Sequence, residues 1–92
     1  MYYEAHITID PIREHMDKAT VELLKWKYSS IDGDPSLGAG IRAYATNHYA
    51  TSQPIEEVIK QLANCSWSLK NMGCSVIRTK LELVVYDSKE KE

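Results

Sequence analysis

Tyr2-Tyr3-Glu4-Ala5-His6-Ile7-Thr8-Ile9 alternates without a break. Tyr3, Ala5, Ile7 and Ile9 fall on one side of an extended chain, and Tyr2, Glu4, His6 and Thr8 on the other. A period of two with one apolar side marks a half-buried strand. The polar side carries a carboxylate, an imidazole and a hydroxyl in a row, about 7 Å apart at ~3.4 Å per residue.

Downstream of this strand, Asp10-Pro11 reads as a helix start, because Asp caps well and Pro suits the first helical position. Ile12, Met16, Ala19, Leu23 and Trp26 then recur at helical spacing, predicting an amphipathic helix from Pro11 to Lys25. Trp26 to Ile31 reads as a second strand. The stretch from Asp32 to Gly40 is dense in turn formers and reads as a loop. Ile41 to Tyr49 alternates again, with Ile41, Ala43 and Ala45 on its apolar side and Arg42, Tyr44, Thr46 and His48 on its polar side.

A second helix follows Thr51-Ser52-Gln53-Pro54, with Ile55, Val58, Ile59, Leu62, Cys65, Ser66 and Leu69 as its stripe and a glycine stop at Gly73. The last strand, Val76 to Tyr86, sets Ile77, Thr79, Leu81, Leu83 and Val85 against Arg78, Lys80 and Glu82. Residues 1–86 thus form one domain, and the charged run 87–92 a tail.

The order strand, helix, strand, strand, helix, strand is that of an α+β, ferredoxin-like split βαβ fold (βαββαβ): a four-stranded antiparallel sheet with two helices on one face. The first and third strands are expected at the centre, running parallel, with the fourth pairing antiparallel to the first. The expected core includes Ile7, Ile9, Met16, Leu23, Ile59, Leu62, Leu81 and Leu83.

Composition narrows the functional classes. At 92 residues, 43% hydrophobic and 26% charged, the chain fits one small globular domain. The net charge of −2 argues against a non-specific nucleic-acid binder, which needs a basic excess for phosphate neutralisation. No membrane-length apolar run or signal peptide is present in the sequence. Cys65 and Cys74 read as free thiols of a reducing, cytoplasmic compartment. Asn64-Cys65-Ser66 matches a glycosylation sequon but falls inside the second helix and reads as chance. Asp32-Gly33-Asp34 opens like a calcium loop, yet Leu37 and Ala43 stand where that loop needs Gly and Glu. His6, His15 and His48 have no local metal-ligand spacing, and neither a metal nor a cofactor is expected.

What remains is the sheet face away from the helices. Tyr2, Glu4, His6 and Thr8 would share it with Arg42, Tyr44, Thr46, His48, Arg78, Lys80 and Glu82, and all of these but Tyr2 and Thr46 are the nine candidate site residues. Cations, hydroxyls and an imidazole within cross-strand reach suit a phosphate-bearing small molecule or nucleotide. Interleaved charges also suit a plain solvated face.

His6-Ile7-Thr8 resembles half of the signature of the two-histidine phosphoesterases, which use two strand-borne His-x-Thr motifs to cleave cyclic or 2′,5′-linked phosphates without a metal. The resemblance implies His6 as general acid or base and Thr8 as a donor to phosphate oxygen. It covers one strand, and His15-Met16-Asp17 and His48-Tyr49-Ala50 do not supply the second motif. Three readings therefore stand together: phosphate-ligand binding, phosphoester chemistry at His6, and a protein-interaction module or homodimer. The homodimer would draw on Tyr2, Tyr44, Val84 and Tyr86 for apolar contact.

Overall fold

The computed structural model describes residues 1–32 and 41–85. Six elements follow in order: β1 (Tyr2–Asp10), α1 (Glu14–Leu23), β2 (Lys27–Asp32), β3 (Ile41–Ala50), α2 (Ile55–Asn71) and β4 (Ser75–Val84). The strands make one sheet in the order β2-β3-β1-β4, and every neighbouring pair is antiparallel. This is the α+β, ferredoxin-like arrangement expected from the order of elements. The turn-rich stretch 33–40 and the end of the chain, 86–92, with Tyr86 and the charged tail, lie outside the described residues.

β1 and β3 are the central pair, as expected, but they run antiparallel and not parallel. The reason is the hairpin reversal between β2 and β3. α1 returns the chain so that β2 runs in the direction of β1, and β3, coming back from β2, must oppose both. β1 meets β3 from Tyr2↔Ala50 to Ile9↔Ala43 and β4 from Tyr2↔Val84 to Thr8↔Arg78. Between Thr8 and Ile9 the β4 pairing slips to Ile9↔Val76, leaving Ile77 as an extra residue.

The core lies between the sheet and the helices. Ala5, Ile7 and Ile9 of β1 and Ala43 and Ala45 of β3 are fully buried there, under Val21 of α1 and Val58, Leu62, Cys65 and Leu69 of α2. Trp26 and Tyr49 close one end, ring edge toward ring face with centroids 6.4 Å apart. The alanines of β3 leave the room that the helices need for close approach to the centre of the sheet.

Several core expectations are corrected. Met16, Leu23, Ile59 and Leu83 are exposed, and Leu81 is only partly buried. On α1 the inward face is Asp17 and Val21, flanked by the half-buried Thr20 and Leu24, so the Ile12/Met16/Leu23 stripe faces outward. The helix is rotated because it starts late: Asp10 still pairs with Ser75, and the turn Ile12 N–H to Asp10 C=O (2.8 Å) delays the first helical residue to Glu14. The cap comes from within. The Asp17 carboxylate accepts the Arg13 backbone N–H at 3.1 Å, which draws residue 17 under the helix. On β4 the extra residue has the same kind of effect. Val76 packs against the core while Ile77 is exposed, and Ile41 at the start of β3 is exposed as well.

Both helix ends use a left-handed residue. Lys25 (φ 67°) follows the last turn of α1, and Trp26 N–H donates back to Val21 C=O. Gly73 (φ 93°) does the same after α2, with Cys74 N–H donating to Leu69 C=O. Arg13 lies across Gly73 and donates from Nη2 to Met72 C=O at 3.1 Å, tying the start of α1 to the end of α2.

Candidate functional site

Cross-strand partners project to the same face, so the register sorts the open face into rows. One row runs Lys27, Thr46, His6, Lys80 across β2, β3, β1 and β4. The next holds His48, Glu4 and Glu82, and the row on the other side holds Ser29, Tyr44, Thr8 and Arg78. Strands are roughly 4.8 Å apart and rows about 7 Å apart, so neighbouring rows meet through long side chains. All nine site residues expected from the sequence occupy this face. Arg42 lies beyond Tyr44 on β3, opposite Ile31.

The structure gathers part of that set. His6 Nε2 lies 2.6 Å from Glu4 Oε1 and 3.2 Å from Glu82 Oε1, and His6 Nδ1 lies 3.2 Å from Thr46 Oγ1. His48 Nε2 meets the other oxygen of Glu4 at 3.0 Å, and the His48 ring leans on Tyr2 at a centroid distance of 5.0 Å. Lys80 Nζ reaches Glu82 Oε1 at 3.3 Å. The centre is therefore an imidazole between two carboxylates, with cations at its margin.

Glu4 and Glu82 are direct cross-strand partners, a like-charge placement that costs stability unless a cation is shared. His6 turns out of its own row to stand between them. A short Nε2–Oε1 contact of this kind needs a proton, or another cation, between the two lone pairs. Thr46 can serve either state of the ring, because its hydroxyl both donates and accepts.

Thr8 and Arg78 stay outside the cluster. Thr8 is buried and enters none of these hydrogen bonds, and Arg78 is exposed on the β4 edge without an ion pair to the cluster. Thr46 was expected on this face but not as a site residue, because only the register puts it opposite His6; Lys27, at the end of the same row, begins a strand whose alternation is too short to assign a face.

The two thiols are shut away. Burial pushes the Cys65 thiol up to about 11, helped by Cys74; burial and the neighbouring Asp17 carboxylate push Cys74 up to about 11 as well. Thiols of that kind are poor nucleophiles near neutrality. His15 is exposed on α1, well apart from the cluster in sequence and element. Beside the sheet edge, α2 and β4 bound a shallow groove of about 450 Å³ that includes Trp67, Lys70, Ile77 and Arg78.

No family model, no curated protein and no solved structure matches the chain. No helix among the described residues is long and apolar enough to cross a membrane.

Proposed function

We propose that the protein is a binding domain that takes a phosphate-bearing small molecule or nucleotide on the open face of its sheet. The observation that supports this is the cationic margin: Lys27 and Lys80 end the row through His6, and Arg78 stands in the row beside it. A phosphate at the β4 side would draw charge-assisted hydrogen bonds from Lys80 and Arg78, and the Tyr2–His48 ring pair offers a surface for a base. Binding is favoured over phosphoester cleavage by the state of His6. Both ring nitrogens already have protein partners, which leaves no nitrogen turned toward a substrate. The free, buried thiols suit a reducing compartment, and we place the domain in the cytoplasm on that account.

Amide shift mapping with inorganic phosphate, mononucleotides and cyclic phosphates tests the proposal. The expected outcome is a saturable set of shifts on the open face, centred on His6, Thr46, Arg78 and Lys80 and extending to Tyr2 and His48 with the mononucleotides. Arg78→Ala should then weaken binding by about 1.5–3 kcal/mol, the usual worth of a hydrogen bond to a charged group. Shifts confined to the helices, or none with any of the phosphates, would defeat it. Turnover of a cyclic phosphate that disappears in His6→Asn would restore the phosphoesterase reading instead.

A second reading, self-association, has its own support. β4 is an edge strand, and Leu83, Ile77 and Trp67 are exposed beside it at 50%, 45% and 69%. Antiparallel pairing of two β4 edges centred on Leu81 would set Lys80 of one copy against Glu82 of the other. A sedimentation mass of two chains that falls to one in Leu83→Lys is the expected result; a mass of one chain for the unaltered protein at micromolar concentration rejects the dimer.

A further inference from the structure

We infer that Glu4, His6 and Glu82 form a binding site for a divalent transition cation of the zinc type. One ligand atom from each residue lies within 4.8 Å of the other two, and the three come from adjacent strands whose pairing fixes their separation. No sequence spacing reveals this set, because the cross-strand register assembles it.

Three features suit the cluster to a metal as well as to an ion pair. First, the spans are close to those a metal needs. Ligands at the usual 2.0–2.2 Å from a tetrahedral zinc stand about 3.3 Å from one another. The His6–Glu82 contact is already 3.2 Å, and the 2.6 Å His6–Glu4 contact would open by a fraction of an ångström.

Second, the outer partners are those that metal ligands use. Thr46 Oγ1 stands at His6 Nδ1, so a proton on Nδ1 can be donated to it while the Nε2 lone pair turns to the ion. His48 holds the second oxygen of Glu4 and orients that carboxylate. Third, the charge balances. Two carboxylates and a neutral imidazole with a divalent ion sum to zero, which removes the repulsion between cross-strand glutamates.

The mixed nitrogen and oxygen set favours zinc, or an ion of similar preference, over magnesium or calcium, which prefer oxygen alone. Lys80, now paired with Glu82, is the cation that the metal would displace. Three protein ligands leave a coordination position for water or a ligand atom.

The inference does not rest on the phosphate proposal, and its test uses Zn²⁺ alone in phosphate-free buffer. Calorimetry should give one saturable equivalent. Nitrogen-15 spectra of the histidine rings should show the His6 proton on Nδ1 in the metal-bound form, while His15 is unaffected. Affinity should fall at least about tenfold in His6→Asn and in Glu82→Gln, and Thr46→Val should lose roughly 10–100-fold as an outer-shell partner. His15→Asn should bind as the unaltered protein does.

Glu82→Gln changes a half-exposed side chain at the sheet edge and keeps its shape, so it serves even where a His6 variant does not fold. Absence of saturable binding, affinity unchanged in Glu82→Gln, or loss of binding in His15→Asn would overturn the site. None of these results bears on phosphate binding, which the shift mapping reads separately.

Discussion

Two residues occupy the left-handed region at helix ends, and they predict opposite responses to substitution. Lys25 holds φ 67° with a side chain that disfavours it, so Lys25→Gly should stabilise the fold by about 1 kcal/mol. Gly73 holds φ 93°, and a Cβ there would stand 2.5 Å from Arg13 Nη2. Gly73→Ala should therefore cost more than the ~1–2 kcal/mol of the backbone alone, since Arg13 must also leave its carbonyl. Urea midpoints of the two variants against the parent check both signs; a stabilised Gly73→Ala would refute the account. The buried thiols give a pH dependence. Their folded-state values of about 11 lie above the ordinary 9.0, so the folded state holds the protons more tightly. This stabilisation is complete below pH 9 and is lost as the pH rises from there toward 11. Urea midpoints measured across that range should fall, and the fall should be shallower in Cys65→Ala.

At the scale of elements, the sequence was most legible where a single pattern had one solution. β1 and β3 alternate so cleanly that the open face and six of its nine candidate residues followed from the period of two alone; Arg78, Lys80 and Glu82 came from β4. α1 had two apolar stripes to choose from. Ile12, Met16 and Leu23 look the better core face, and nothing local to the helix says that Asp10 will stay in the sheet, paired with Ser75. The choice depends on contacts made far along the chain. The same holds for the site: strand position put His6 beside cations, while the register turned it toward two carboxylates. The helix assignments predict unequal costs. Leu69→Ala, fully buried on α2, should destabilise by about 2–5 kcal/mol. Met16→Ala and Leu23→Ala, 58% and 68% exposed, should stay within about 0.5 kcal/mol of the parent. Denaturant unfolding separates the two classes, and a large loss in Met16→Ala would refute the observed rotation of α1.

For the whole molecule, the position of β1 between β3 and β4 has a consequence in time. His6 pairs with Thr46 and with Lys80, so the central strand finds its neighbours only among residues far along the chain. During synthesis the β2–β3 hairpin and both helices can form early, but β1 keeps one edge bare until β4 leaves the ribosome. Contacts of such long sequence separation are also late and slow in refolding. A nascent chain stalled after α2 should accordingly remain open to protease, and resistance should arise in one step once residues 75–84 are free to dock; resistance at the earlier stall would show that β4 is dispensable. The Glu4–His6–Glu82 cluster inherits this order of events. It draws on β1 and on β4, so a chain that stops short of residue 82 cannot assemble the three side chains.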